Sequence, residues 1–165
     1  MHRKPIVIFF AVCVVIAGVL IGYQNFKRTT NPDVSRVLYQ SEPLGFEVMH
    51  PHLNFTPRAG GVVFHLPDGE IMISRSGVNT SSIEEYIDQL IEINHLKVIS
   101  RTTGIIDEVP AIKLVTKNDP NDIISYFIIS GSWAYRITGG SRHADYLDGI
   151  VQTFHVISDD QTSNP

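Results

Sequence analysis

Residues 111–138 read AIKLVTKNDPNDIISYFIISGSWAYRIT. Turn chemistry cuts three β-rich runs out of this stretch, Ala111–Thr116, Ile123–Ser130 and Trp133–Thr138, separated by NDPND at Asn118–Asp122 and by Gly131-Ser132. Pro and Asn/Asp favour turns and Gly supplies positive φ, so the runs read as a meander of hairpins. The middle run, IISYFII, is apolar at both parities, which marks a central strand with both faces covered.

Working outward, Lys97–Thr102 is a further β-rich run on the N-terminal side. Val62–Leu66 and Glu70–Ser74 flank Pro67-Asp68-Gly69, whose Asp-Gly predicts a hairpin. Gly45–His50 (GFEVMH) alternates at Phe46, Val48 and His50 and stops at Pro51. Between these, TSSIEEYIDQLIEIN places Ile83, Tyr86, Ile87, Leu90 and Ile91 on one helical face, with Ser81 and Glu84 spaced as a capping box. Glu84, Glu85, Asp88 and Glu92 fall mostly on the opposite side and fit a solvated helix face as well as an acidic docking surface. After Gly139-Gly140-Ser141, the segment Arg142–Phe154 carries Leu147, Ile150, Val151 and Phe154 at helical spacing. Two helices and roughly seven strands, mostly in hairpins, predict an α+β domain with helices packed on an antiparallel sheet.

The N-terminus has a different character. Pro5–Tyr23 (PIVIFFAVCVVIAGVLIGY) is nineteen residues without a charge. As a helix it would be roughly 29 Å long, the thickness of a bilayer's hydrocarbon core. The run is longer than the h-region of a cleaved signal peptide and lacks a good small-x-small site, so an uncleaved transmembrane anchor is expected. Cys13, inside it, reads as a small apolar residue. Basic residues flank both sides (Arg3 and Lys4; Lys27, Arg28 and Arg36), which nearly balances the positive-inside rule. A short basic leader before the first apolar segment favours the domain outside. The expected organisation is an anchor at 1–23, a linker at 24–36, a domain at 37–157 and a disordered tail at 158–165.

The whole chain has 165 residues, 13 Lys+Arg, 17 Asp+Glu and a formal charge of −4. Arg3 and Lys4 precede the anchor, so everything after it is the more acidic part. No basic patch or basic–aromatic interleaving occurs, which argues against nucleic acid as a partner. One Cys forbids an intramolecular disulfide, and 43% hydrophobic residues argue against disorder.

The order of segments resembles the PsbP-like family, named for the extrinsic protein of the photosystem II oxygen-evolving complex. GFEVMHP at Gly45–Pro51 resembles its opening strand with the Pro stop, VVFHLP at Val62–Pro67 its second strand, and SSIEEYIDQL at Ser81–Leu90 its first long helix. VPAIKLVT at Val109–Thr116, ISGSWAYRITG at Ile129–Gly139 and DYLDGIVQTFHV at Asp145–Val156 resemble later strands and the closing helix. The likeness covers about Leu38–Ile157. It departs where His52, Leu53, Asn54 and Phe55 replace a Pro-x-x-Trp pattern. The resemblance implies an α/β/α sandwich around a central antiparallel sheet, and a binding or assembly role without a shared partner.

Catalytic signatures are missing from the sequence. The only thiol lies in the apolar run, neither serine beside Gly131 sits in a G-x-S-x-G elbow, and there is no P-loop or dinucleotide fingerprint. No cofactor is implied, and a non-enzymatic protein is expected. For a metal, His50 and His52 are two apart, and His65 with Asp68 could approach from the hairpin, although Pro51 interrupts the strand. Trp133 and Tyr135 share one face of their strand and fit core packing or a partner cleft; Arg136 points the other way. Arg142 and His143 follow a Gly-Gly-Ser turn that fits a helix cap as well as anion binding. The primary expectation is a single-pass, membrane-anchored extracytoplasmic module that helps assemble or stabilise a membrane protein complex. It would act through its sheet edge and the loops at 118–122 and 139–143. The alternative is a small-ligand or metal carrier using Trp133 and the histidines at positions 50, 52 and 65.

Overall fold

A computed structural model describes residues 36–157. The expected anchor, nearly all of the linker and the expected tail lie outside the described residues. Among the described residues no helix is long and apolar enough to cross a membrane.

In chain order the elements are β1 (Arg36–Ser41), a 3-10 turn (Glu42–Leu44), β2 (Phe46–Pro51), β3 (Asn54–Arg58), β4 (Gly61–Leu66) and β5 (Gly69–Gly77). Then follow α1 (Ile83–Ile93), β6 (Val98–Ile106), β7 (Val109–Thr116), β8 (Ile123–Ser130), β9 (Trp133–Gly140), a second 3-10 turn (Ser141–His143), α2 (Ala144–Val151) and β10 (His155–Val156). Seven strands form one antiparallel sheet in the order β3-β4-β5-β9-β8-β7-β6, and β1-β2-β10 form a small second sheet. The meander and the Asp-Gly hairpin are both present, and the pairing of β5 with β9 joins them. In β8, Ile124 through Ile128 are all buried, as expected of a strand covered on both faces.

Side-chain parity sorts the layers. Ile83 and Ile87 of α1 pack on Ile112, Leu114 and Phe127. Tyr126, next to Phe127 and therefore on the opposite face, donates its hydroxyl to Asp148 of α2 at 2.5 Å. The two helices thus cover opposite faces, but the second outer layer is shared between α2 and the small sheet. Phe46 of β2 lies against Tyr135 and Phe154, and Tyr39 of β1 against Phe55 and Phe64. The sandwich is therefore helix, sheet, and helix plus sheet. Each fully buried Phe or Ile in it contributes roughly 1.5–3 kcal/mol of transfer free energy.

Three local expectations are corrected. There are ten strands among the described residues rather than roughly seven. β1 begins at Arg36, the last residue of the expected linker, β3 is exposed along its whole length and contains Pro57, and β10 has only two residues. The helix cap sits one residue later than the Ser81/Glu84 reading. Ser82 Oγ accepts from Glu85 N at 3.2 Å, while Thr80 Oγ1 accepts from Ser82 N and donates to Glu85 Oε2. Thr80 closes the cap in place of the direct reciprocal bond. Finally, Arg142–Phe154 is not one helix: α2 stops at Val151, and Phe154 is buried beyond its end.

Candidate functional site

β9 separates the residues singled out in the sequence. A strand advances about 3.3 Å per residue, so Trp133 and Gly140 stand roughly 23 Å apart, with Arg142 and His143 beyond. At the Trp133 end, the Arg75 guanidinium lies 3.9 Å from the centre of the indole ring and donates to Pro43 O at 2.9 Å. Trp133 itself is 37% exposed. Tyr135 is a core residue. Its hydroxyl donates to Gly45 O at 3.2 Å, and Ile157 N donates to the same carbonyl at 3.0 Å. Gly45 holds φ at +66°, a left-handed conformation natural to glycine. Tyr135 therefore ties the small sheet to the large one.

Arg136 emerges on the α1 face. Its Nε and Nη2 donate to Ser125 Oγ at 3.3 and 3.2 Å, and its guanidinium lies 5.6 Å from the Phe127 ring centre. Burial lowers its pKa from the ordinary value, with nearby Tyr86 opposing that shift.

Arg142 and His143 meet at the other end, on the tip of the β4–β5 hairpin. Arg142 Nη2 donates to Asp68 O, and Nη1 lies 3.8 Å from Asp68 Oδ2. Arg142 Nε donates to His143 Nε2 at 3.0 Å, which leaves the ring hydrogen of a neutral His143 on Nδ1. The buried His143 ring also lies 3.5 Å from Asp68 Oδ1 and against Gly69. A Cβ on Gly69 would come within 2.5 Å of His143 Nε2, so the hairpin turn needs glycine for this close approach. The 118–122 loop joins the same end: Ser141 N donates to Asp122 O at 2.7 Å. Lys117 Nζ lies 3.6 Å from Asp119 and 3.4 Å from Asp122. The two loops named from sequence are therefore side by side, and the Asp68 turn packs on the second of them.

The three histidines do not converge, which corrects the metal expectation. His50 is buried against Phe64 and Phe55, donating Nδ1–H to Pro51 O at 2.7 Å. Its Nε2 is buried with no hydrogen-bond partner. His65 neighbours Phe64 on β4 and so points to the opposite face, where it meets Glu70 at 3.2 Å and Thr56 at 2.8 Å. His52 is exposed in the turn between β2 and β3. Pro51 and the change of strand scatter what a simple spacing of two would have aligned. Among the described residues, no group of three or more His, Cys, Asp or Glu side chains could hold a metal. Trp133 is not near them either. His50 packs on Phe64, whose row runs through Ile71 to Gly139, six residues along β9.

Sequence reading missed one polar cluster. Asp148 accepts from Tyr126 at 2.5 Å, and Lys113 Nζ lies 3.4 Å away. Burial and the bond to Asp148 push the Tyr126 phenol far above its ordinary value. The available signals were a Tyr inside the apolar run IISYFII and an Asp directly after the buried Leu147.

No protein-family model and no curated protein matches this chain. Among solved structures, the cyanobacterial PsbP of Synechocystis sp. PCC 6803 superposes with a TM-score of 0.56 at 12% identity, over 78% of this chain and 96% of that one. A protein from Bacteroides thetaiotaomicron VPI-5482 superposes with a TM-score of 0.53 at 18% identity, over 74% of this chain and 49% of that one. At such identities the likeness is one of fold, and the described domain has the PsbP-like fold.

Proposed function

We propose that this protein is a non-enzymatic binding module of PsbP-like fold, anchored in a membrane by residues 5–23 with its domain on the extracytoplasmic side. It helps assemble or stabilise a membrane protein complex. The observation that supports this is the rim at one end of the sheet, where the Asp68 turn and the 118–122 loop are each bonded to the Ser141–His143 turn. Three segments distant in sequence are fixed there, presenting half-exposed charges of both signs. Preorganised polar loops on a rigid scaffold lower the ordering cost of docking. The separation of Trp133, His50, His52 and His65 gives a carrier no common site.

The test is brief crosslinking of the full-length chain in its native membrane, capture in mild detergent and mass spectrometry of what accompanies it. One reproducible membrane complex is expected, with recovery falling roughly tenfold in Arg142→Glu, the loss of about 1.4 kcal/mol of binding. Recovery of nothing but the chain itself, or a complex indifferent to Arg142→Glu and Asp68→Lys, would overturn the reading.

A further inference from the structure

The seven-stranded sheet ends in two unlike edges. β3 is five residues long and finishes in Pro57-Arg58, which removes a donor and adds a charge, both known ways of blocking an edge. β6 is nine residues long, contains no proline and is exposed from Val98 through Thr103, with Ile99 at 52% and Ile105 at 58% exposure. A long edge with apolar side chains and open hydrogen-bonding groups is a template for another strand.

The phase of that edge follows from its hairpin. Asp107 and Glu108 hold φ at 52° and 62°, the signature of a two-residue type I′ turn, so Ile106 and Val109 form a hydrogen-bonded pair. Alternation then turns the backbone groups of Gly104, Thr102 and Ser100 toward β7, and those of Ile105, Thr103 and Arg101 outward. Pro110 agrees: it stands opposite Ile105 and has no N–H to give. Near the far end, a bulge releases Ile99 from the β7 register.

We infer that β6 is a dimerisation edge that pairs antiparallel with β6 of a second copy, about a two-fold axis through Thr102. That axis sets outward-facing Arg101 opposite Thr103 of the second copy, twice. It also sets Ile99 opposite Ile105, twice, so the two exposed isoleucines cover each other. The patch is self-complementary, as an isologous interface must be. The charge does not oppose it, because Arg101 already lies 2.5 Å from Asp88 of its own α1 and never faces another Arg101. Shifting the axis to Thr103 also satisfies the backbone phase, but it would put Arg101 against Ile105 and Ile99 against Asp107. The interface deepens the assembly reading without needing a foreign partner.

The test uses the full-length chain in mild detergent, with Cys13→Ser as background and Thr102→Cys or Thr103→Cys added singly. In the dimer the two residues at 102 form a non-hydrogen-bonded pair with Cα atoms about 4.5 Å apart, within disulfide range. The two residues at 103 are diagonal neighbours about 7–8 Å apart, beyond that range. Mild oxidation should therefore give a covalent dimer with Thr102→Cys and leave Thr103→Cys a monomer. Thr103→Pro removes an outward N–H and no bond to β7, so the particle mass should fall from two chains to one with the melting transition retained. A monomeric Thr102→Cys, a Thr103→Cys dimer, an undiminished mass in Thr103→Pro, or crosslinking to a different polypeptide would each overturn the inference. The membrane pulldown reads foreign partners only, so failure of one experiment leaves the other decisive.

Discussion

On one face of the large sheet, α1 covers β7 and β8 and leaves Ser74, Arg136 and Thr138 partly open. On the other, α2 and the small sheet together bury Phe46, Phe64, Tyr126, Tyr135 and Phe154. The first face was built with a single helix, and its uncovered rows carry hydroxyls and a guanidinium that tolerate water beside the partly exposed Met72. The second was closed by two elements and is lined with rings, among which Tyr126 donates to Asp148 and Tyr135 to Gly45 O. Residue choice follows the completeness of cover, because an unpaired polar group costs free energy only when water is excluded.

Truncation should separate the faces most sharply. Phe46→Ala empties a fully buried position between Tyr135 and Phe154, and a loss of about 3–5 kcal/mol in urea unfolding is expected. A loss below about 1 kcal/mol would mean that the small sheet is not part of the cooperative core. Tyr126→Phe removes the phenol donor from the Asp148 carboxylate and should cost about 1.5–3 kcal/mol. Its pH dependence sharpens the point. The folded phenol's pKa lies above the unfolded value near 10. Its contribution is thus complete below pH 10 and is lost as pH rises beyond, because only the unfolded chain ionises easily. Stability measured from pH 9 to 11 should fall less steeply in Tyr126→Phe than in the parent chain.

Smaller effects belong to the half-covered face. Ser82→Ala removes the acceptor for Glu85 N and should cost about 1 kcal/mol, with the helix signal lost in the same transition. Arg136→Met keeps an apolar stem over Phe127, and Ser125 keeps its bond to Thr138 at 2.8 Å. Its effect on the unfolding midpoint should stay within about 1 kcal/mol. A larger loss would show that Arg136 is as closed off as the aromatic face.

Much of the fold could be read from local pattern, and most of the candidate rim could not. Both-parity burial marked β8, Asp-Gly marked the β4–β5 turn, and the i, i+3, i+4 spacing marked the inner face of α1. These features depend on neighbours a few residues apart. β3 escaped because all five of its residues stay exposed and Pro57 breaks the run, although Phe55 packs on Tyr39. The metal reading of His50, His52 and His65 failed because Pro51 ends the strand and adjacent positions on β4 face opposite ways.

The chain's short-range chemistry therefore determined where most of the strands, the turns between them and the amphipathic helix lie, and it supplied an apolar run long enough to cross a bilayer. Only tertiary structure decided that β5 pairs with β9 and that Asp68 meets Arg142, 74 residues on. It also decided that α2 shares its layer with a second sheet, and that β6 rather than β3 is the open edge. Periodicity reports which face of an element is apolar, whereas partner choice is set by packing between segments far apart in the chain, and no local pattern encodes it.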